Sequence, residues 1–283
     1  DVNATTTGSG DISFLNKIGS VSQPGIVGIT KIGGTATDNI KLSGTLYSFN
    51  GATTITTESG QEIDLLAGSD TSFVTSEDTI KFDSKVDLDD GSNFSVDTGS
   101  GAGDITITGS IIGDSAETVT LDAGAGTTTV GAIGSASQIG TVKIGSSDNG
   151  NIVIKGSVDI DGSFTADGPI EISTAAITID TVGSNGAINM QGTVDGGQEL
   201  TLLSGSGAIT ITGTVGGTTQ LTALTINSTG SGNINIKDIG DTNTVGVLNT
   251  TAIGNTTTGT LELGGTTYKT NTATYTAATG ENI

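Results

Sequence analysis

The sequence predicts an all-β fold, a parallel β-helix (β-solenoid) of about 23–25 residues per coil. Three observations predict it. A short phrase returns along the chain: residues 103–112 read GDITITGSII, 150–158 GNIVIKGSV, 186–194 GAINMQGTV, 207–215 GAITITGTV and 232–239 GNINIKDI. A second phrase precedes most copies, at Val119 (VTLDAG), Val142 (VKIGSS), Ile177 (ITIDTV), Leu200 (LTLLSG) and Leu224 (LTINST), at intervals of 23, 35, 23 and 24 residues. Within each phrase, apolar and polar residues alternate. A fixed period in the twenties, built from strand-like alternation, is the mark of a coil in which each repeat is one turn.

The phrase also assigns an inside and an outside. Successive side chains of a strand point to opposite faces. The pairs Ile105/Ile107, Ile152/Ile154, Ile188/Met190, Ile209/Ile211 and Ile234/Ile236 stay apolar in every copy. The alternate positions vary: Thr106/Thr108, Val153/Lys155, Asn189/Gln191, Thr210/Thr212 and Asn235/Lys237. The constant pairs therefore fill the coil and the variable ones face outward. Glycines such as Gly205, Gly207 and Gly213 flank the strands, where corners demand positive φ or close backbone approach.

In chain order, residues 1–92 form a less regular, β-rich start, with strands expected at 12–15, 26–32, 40–49, 53–57, 62–66 and 79–82. An early, looser copy of the phrase, GDISFLNKI, occupies 10–18. Residues 93–265 hold the regular repeats, clearest to about 240. The long interval between Val142 and Ile177 contains an insertion at 158–172, read as a side hairpin or an enlarged coil. Past the clear repeats, strands are expected at 245–248, 260–263 and 266–275. The last stretch, 266–283, is a terminal strand suited to pairing with a neighbouring subunit or a continuing chain. Thr, Val and Ile favour strands over helices, and no 3.6-residue period competes. About 12 such coils, stacked about 4.8 Å apart, would make a rod roughly 55–60 Å long.

Composition narrows the function. Gly contributes 46 of 283 residues, while aromatic residues are 3% and Trp is absent. Without Cys or His, neither thiol chemistry nor an imidazole base or metal ligand is available. All nine basic residues are Lys, so no Arg provides bidentate phosphate recognition. The net charge of −21 repels nucleic acid and anionic lipid and suits a soluble, extracellular surface. No apolar run is long enough for a membrane span.

The tandem phrases ELTLLSGSGAITITGTVGG (199–217) and ALTINSTGSGNINIKDIG (223–240) resemble the β-strand-repeat regions of large bacterial surface proteins. These are the filamentous haemagglutinin-like adhesins and the autotransporter-type passenger domains. The resemblance is carried by residues 93–265. It implies secretion, a right-handed parallel β-helix, and a role as stalk, adhesin or surface filament. The Asn-Pro-Asn motif of two-partner adhesins is missing, which leaves the export route open. It fits an internal segment of a longer chain, or a subunit of a self-assembled fibre or coat.

Candidate sites are few. Residues 82–94 (FDSKVDLDDGSNF) place Asp87, Asp89 and Asp90 before Gly91, a candidate calcium turn of hard oxygen ligands. The spacing departs from the D-x-[DN]-x-[DN]-G loop, and a solvated turn is the plainer reading. Asp159 and Asp161 are a surface pair. No other cofactor is implied. Carbohydrate-active β-helices need defined carboxylate pairs, commonly beside Lys, Arg or His. With 30 acidic residues, chance pairs carry no information. A Thr ladder for ice is broken by Lys155, Gln191 and Lys237. The expectation is a non-enzymatic structural solenoid, a homo-oligomer or filament joined through its ends. The alternatives are an adhesin segment binding a surface glycan through 1–92 or 158–172, and a carbohydrate-active enzyme.

Overall fold

Alternating β-branched and small polar residues bury one side of each strand when successive turns of chain stack in parallel. The computed structural model does this throughout. It describes all residues except 7, 67, 69, 115, 116, 135–138, 147 and 149, and the side chain of residue 90. Among the described residues there is no α-helix. No described helix is long and apolar enough to cross a membrane. The chain divides into two compact units: Asp1–Ile139 with Ile144–Gly150, and Gly140–Lys143 with Asn151–Ile283.

In the first unit, each coil carries three short strands. The first coil has β1 (Val2–Ala4), β2 (Ile12–Phe14) and β3 (Ile26–Val27). The second has β4 (Thr30–Gly33), β5 (Ile40–Leu42) and β6 (Leu46–Asn50), the third β7 (Thr53–Thr56), β8 (Glu62–Leu65) and β9 (Thr71–Val74). Next come β10 (Ile80–Phe82), β11 (Lys85–Leu88) and β12 (Phe94–Asp97), then β13 (Ile105–Ile107), β14 (Ile111–Gly113) and β15 (Thr118–Asp122), and β16 (Thr128–Val130). Like strands stack in parallel, giving three ladders. One runs β1, β4, β7, β10, β13, β16; a second β2, β5, β8, β11, β14; a third β3, β6, β9, β12, β15. Residues 1–92 thus stand on the same three ladders as the repeats that follow.

The second unit repeats this plan. β17 (Thr141–Gly145) opens it across the unit boundary, followed by β18 (Ile152–Ile154), β19 (Val158–Asp159), β20 (Phe164–Asp167), β21 (Ile170–Glu171) and β22 (Ile177–Thr181). Then come β23 (Ile188–Met190), β24 (Val194–Asp195), β25 (Glu199–Ser204), β26 (Ile209–Val215), β27 (Ala223–Ser228), β28 (Ile234–Ile239), β29 (Val247–Ile253), β30 (Leu261–Leu263) and β31 (Thr270–Tyr275). One ladder joins β19, β22, β25, β27, β29 and β31, and another β20, β23, β26, β28 and β30. A third joins β18, β21 and β24 to the far end of β26 at Val215, beyond an irregularity between Ile211 and Thr214.

Residues 158–172 supply β19, β20 and β21, each in parallel register with its coil neighbours, and they form no hairpin. The 35-residue interval has a different origin. Val142 in β17 neighbours β20, whereas Ile177 in β22 pairs with β19 and β25. The second phrase changes ladder between those two copies. The first phrase does likewise: Ile152/Ile154 lie on the β18–β21–β24 ladder, while Ile188/Met190, Ile209/Ile211 and Ile234/Ile236 share the β20 ladder. All five expected interior pairs are fully buried.

Three devices hold coil to coil. Apolar side chains stack inside, each contributing about 1.5–3 kcal/mol on burial. In the first unit the few aromatics gather: Tyr47 stacks on Phe73 at 5.0 Å, and Phe73, Phe82 and Phe94 meet edge to face. Next, Asx side chains staple corners. Asp11 Oδ1 accepts from the Asn39 amide 28 residues on, Asn39 Oδ1 from Glu62 23 residues on, and Asp104 Oδ1 from Thr127 23 residues on. In the second unit Asn185 accepts from Ser206, and Asn233 from Thr260. Each spans one coil, so these side chains satisfy amides that the turn leaves free.

Glycine columns are the remaining device. A Cβ on Gly186 would lie 1.9 Å from the Gly162 carbonyl oxygen, and one on Gly207 2.2 Å from that of Gly186. Close approach of stacked backbone fixes these residues. Among the described interior, Thr181, Ser204 and Ser228 form a buried hydroxyl column by register, and each hydroxyl donates to a nearby glycine carbonyl. Local donation lets polar atoms sit inside the coil.

Two paired substitutions test this account. Gly186→Ala should cost about 2–4 kcal/mol, whereas Gly197→Ala, with nothing within 4 Å of its Cβ, should be nearly neutral by denaturant unfolding. Ile209→Asp should unfold the second unit or lower its melting point steeply, because it buries an unpaired charge. Thr210→Asp, at a partly exposed outward position, should melt close to the parent; equal losses would refute the inside/outside assignment.

Candidate functional site

Parallel, in-register stacking places like beside like. On the second ladder of the first unit, the outward residues of β5, β8 and β11 are Lys41, Asp64 and Asp87, paired rung to rung. Beside them Glu62 of β8 pairs with Lys85 of β11. Asp11 takes up Lys41 at 2.5 Å. Lys85 makes an ion pair with Glu62 and stands 3.6 Å from Asp87. The strip holds more acid than base.

Asp64 is its unusual member. It is only 6% exposed, and its Oδ1 has no hydrogen-bond partner. Burial, reinforced by the charges of Glu62, Asp89 and Asp87 and opposed by Lys41, pushes its carboxyl up to about 6 from 3.8. Burial also raises Asp87, with Asp89 and Glu62 adding to the effect. Lys85 is raised by its bond to Glu62. Elsewhere acids go the opposite way. Asp83 is held down by Lys81 at 2.9 Å and by the Thr108 hydroxyl, and Asp238 by the amides of Thr266 and Thr267.

Of the candidate calcium turn, Asp87 lies outward within β11 and Asp89 opens a 3-10 turn, Asp89–Gly91. The side chain of Asp90 lies outside the described residues. Among the described residues, no group of three or more carboxylates is placed to hold a metal ion. The residue brought against Asp87 is Asp64, which the reading of the turn alone passed over. A signal existed: Lys41, Asp64 and Asp87 recur at the coil period of 23 residues. Asp159 of the other acidic pair is exposed and stands beside Asp180. The outward Thr positions alternate with Asn, as in Thr165, Asn189, Thr210, Asn235.

In the second unit a groove of about 280 Å³ crosses four successive rungs, lined by Asn151, Ile170, Glu171, Thr193, Asp195 and Thr218 among others. Glu171 and Asp195 are rung neighbours. Asp195 Oδ1 already accepts the amides of Thr218 and Thr219 at 2.8 and 2.9 Å, so that oxygen serves the corner.

Lys85→Met should cost below about 1 kcal/mol, since the side chain is partly exposed. The cost should be larger at pH 8, where the surrounding acids are ionised, than at pH 4; melting curves at both values check the sign. Compared with models of known protein families, with curated proteins and with solved structures, the chain matches none. What it shares with β-helix repeat proteins is the fold: parallel coils stacked into a β-solenoid.

Proposed function

We propose that the protein is a non-enzymatic, extracellular structural element. In this reading it forms part of a cell-surface filament, coat or adhesin, and associates with copies of itself through its ends. The observation that carries the reading is a group of exposed apolar side chains on the first coil. Around that coil Leu15, Val21, Val27 and Ile29 are 73%, 79%, 70% and 54% exposed. Exposed apolar side chains gathered on one coil are a surface for another copy of the chain. The interior supports the reading too, since its side chains are spent on stacking. Neither nucleic acid nor an anionic membrane suits so acidic a surface.

A second reading, glycan binding by an adhesin segment, draws on the polar groove beside residues 169–173. The enzyme reading draws less support, because Asp195 of the stacked carboxylates is engaged by backbone amides.

Sedimentation and negative-stain microscopy of the purified chain separate these. Concentration-dependent assembly is expected, and Leu15→Asp with Val27→Asp should abolish it while leaving the fold intact. A chain that stays monomeric at high concentration and retains a polysaccharide would replace the structural reading with the adhesin one. Cleavage of that polysaccharide would establish the enzyme.

A further inference from the structure

The acidic strip of the first unit differs from every other stacked acid pair whose contacts are defined. Asp97 and Asp122 are rung neighbours, yet Asp97 Oδ1 accepts the Gly99 amide at 2.7 Å and Asp122 Oδ1 the Gly124 amide at 2.9 Å. In the Asp159–Asp180 pair, Asp180 Oδ1 accepts the Val182 amide at 2.8 Å. In the Glu171–Asp195 pair, Asp195 takes two amides. Backbone donors thus compensate the stacked charge. Asp64 has no such donor on Oδ1, which is buried.

We propose that Asp64 and Asp87 form a proton-operated clasp between the third and fourth coils, closed in mild acid by a carboxyl–carboxylate hydrogen bond and open when both groups are ionised. Rung neighbours on adjacent parallel strands lie about 4.8 Å apart, within reach of two short carboxyl side chains. The proton supplies the hydrogen that Asp64 Oδ1 or its partner oxygen lacks. The two acids then carry one charge between them, as closely placed carboxylates do.

The surrounding groups favour this closure. From β5 comes Lys41, which Asp11, just before β2, already engages. From β8 comes Glu62 and from β11 Lys85, engaged with each other. Asp89 adds a further negative charge from the turn after β11. On the far side β14 offers Ile112 at the Asp87 rung, which has no charge. The raised values of Asp64, about 6, and of Asp87 follow from the same arrangement. The sign is that of an acid whose folded value exceeds its unfolded one. Its stabilisation is complete below the ordinary value near 3.8, declines as pH rises through about 6, and is lost above.

The experiment compares melting of the whole chain at pH 5 and pH 7.5, with a carboxyl-carbon NMR titration beside it. The parent should melt about 3–5 °C higher at pH 5 on account of this pair, over and above the general relief of negative charge. Glu171→Gln, an exposed acid on β21, reports that general part and should keep the difference. Asp64→Asn should remove most of it and raise the melting point at pH 7.5, and Asp87→Asn should act in the same direction. The Asp64 carboxyl should titrate near 6. Titration in the ordinary carboxylate range overturns the proposal, as does an Asp64→Asn protein that keeps the full difference. A rise with millimolar calcium at pH 7.5 that Asp64→Asn abolishes also overturns it, in favour of a cation site.

Discussion

Everything in this molecule depends on one constraint: each turn of chain must lie within hydrogen-bonding distance of the turn before it. Adjacent strands of a sheet sit about 4.8 Å apart, and in a solenoid that spacing holds at the corners as well. The glycine columns follow from it. Gly162, Gly186, Gly207 and Gly232 succeed one another in the second unit, each placed so that a Cβ would strike the carbonyl of the glycine one coil earlier. The Asx staples follow too. A corner cannot continue the ladder, so its amides need another acceptor. Asp104, Asn185 and Asn233 provide one from the preceding coil. The heavy use of Gly, Asn, Asp, Ser and Thr, which elsewhere accompanies disorder, here serves an ordered purpose.

The same constraint makes the interior unusual. Its rows are Ile, Val and Leu, with Thr and Ser at the row ends, and the hydroxyls of Thr181, Ser204 and Ser228 are satisfied by carbonyls of their own corners, Ser228 also by that of Gly205 one coil earlier. Among the described residues, Thr30, Thr71 and Thr251 retain buried hydroxyls without a partner, as Asp64 does its carboxylate oxygen. A buried, unpaired polar group is costly. Three of the four, Thr30, Asp64 and Thr71, lie in the first unit.

Stacking in register also concentrates charge. A net charge of −21 spread over a globular surface would place few acids side by side. In a parallel ladder, an acid repeated at the coil period stands directly beside its predecessor, and like charges on neighbouring rungs repel. Backbone donors answer this at Asp97, Asp122, Asp180 and Asp195, and lysines answer it at Asp11 and Asp83. Asp64 has no donor on Oδ1 and only Lys41, which Asp11 also engages, as a cation, with Glu62 on its own strand and Asp87 on the next rung. The acidic strip therefore belongs to the architecture and is also its least compensated point.

The sequence by itself determined the coil, its parallel stacking and its inside. Alternation and period suffice for these, because an apolar pair between two corners has only one side that can be buried; Ile209 and Ile211 illustrate it. The turn at Asp87 was also legible, and so was its failure to match a calcium loop. What only the tertiary structure decided was which ladder each strand joins and which residue meets which across coils. The three ladders of a coil accept the same apolar pair, so sequence cannot distinguish Ile152 on one from Ile188 on another. Nor could it show that residues 158–172 are ordinary rungs and no projection. Cross-coil neighbours depend on corner lengths, which vary by several residues from turn to turn. Asp64 thus came to lie against Asp87 through register, a property of stacked coils that no single phrase contains.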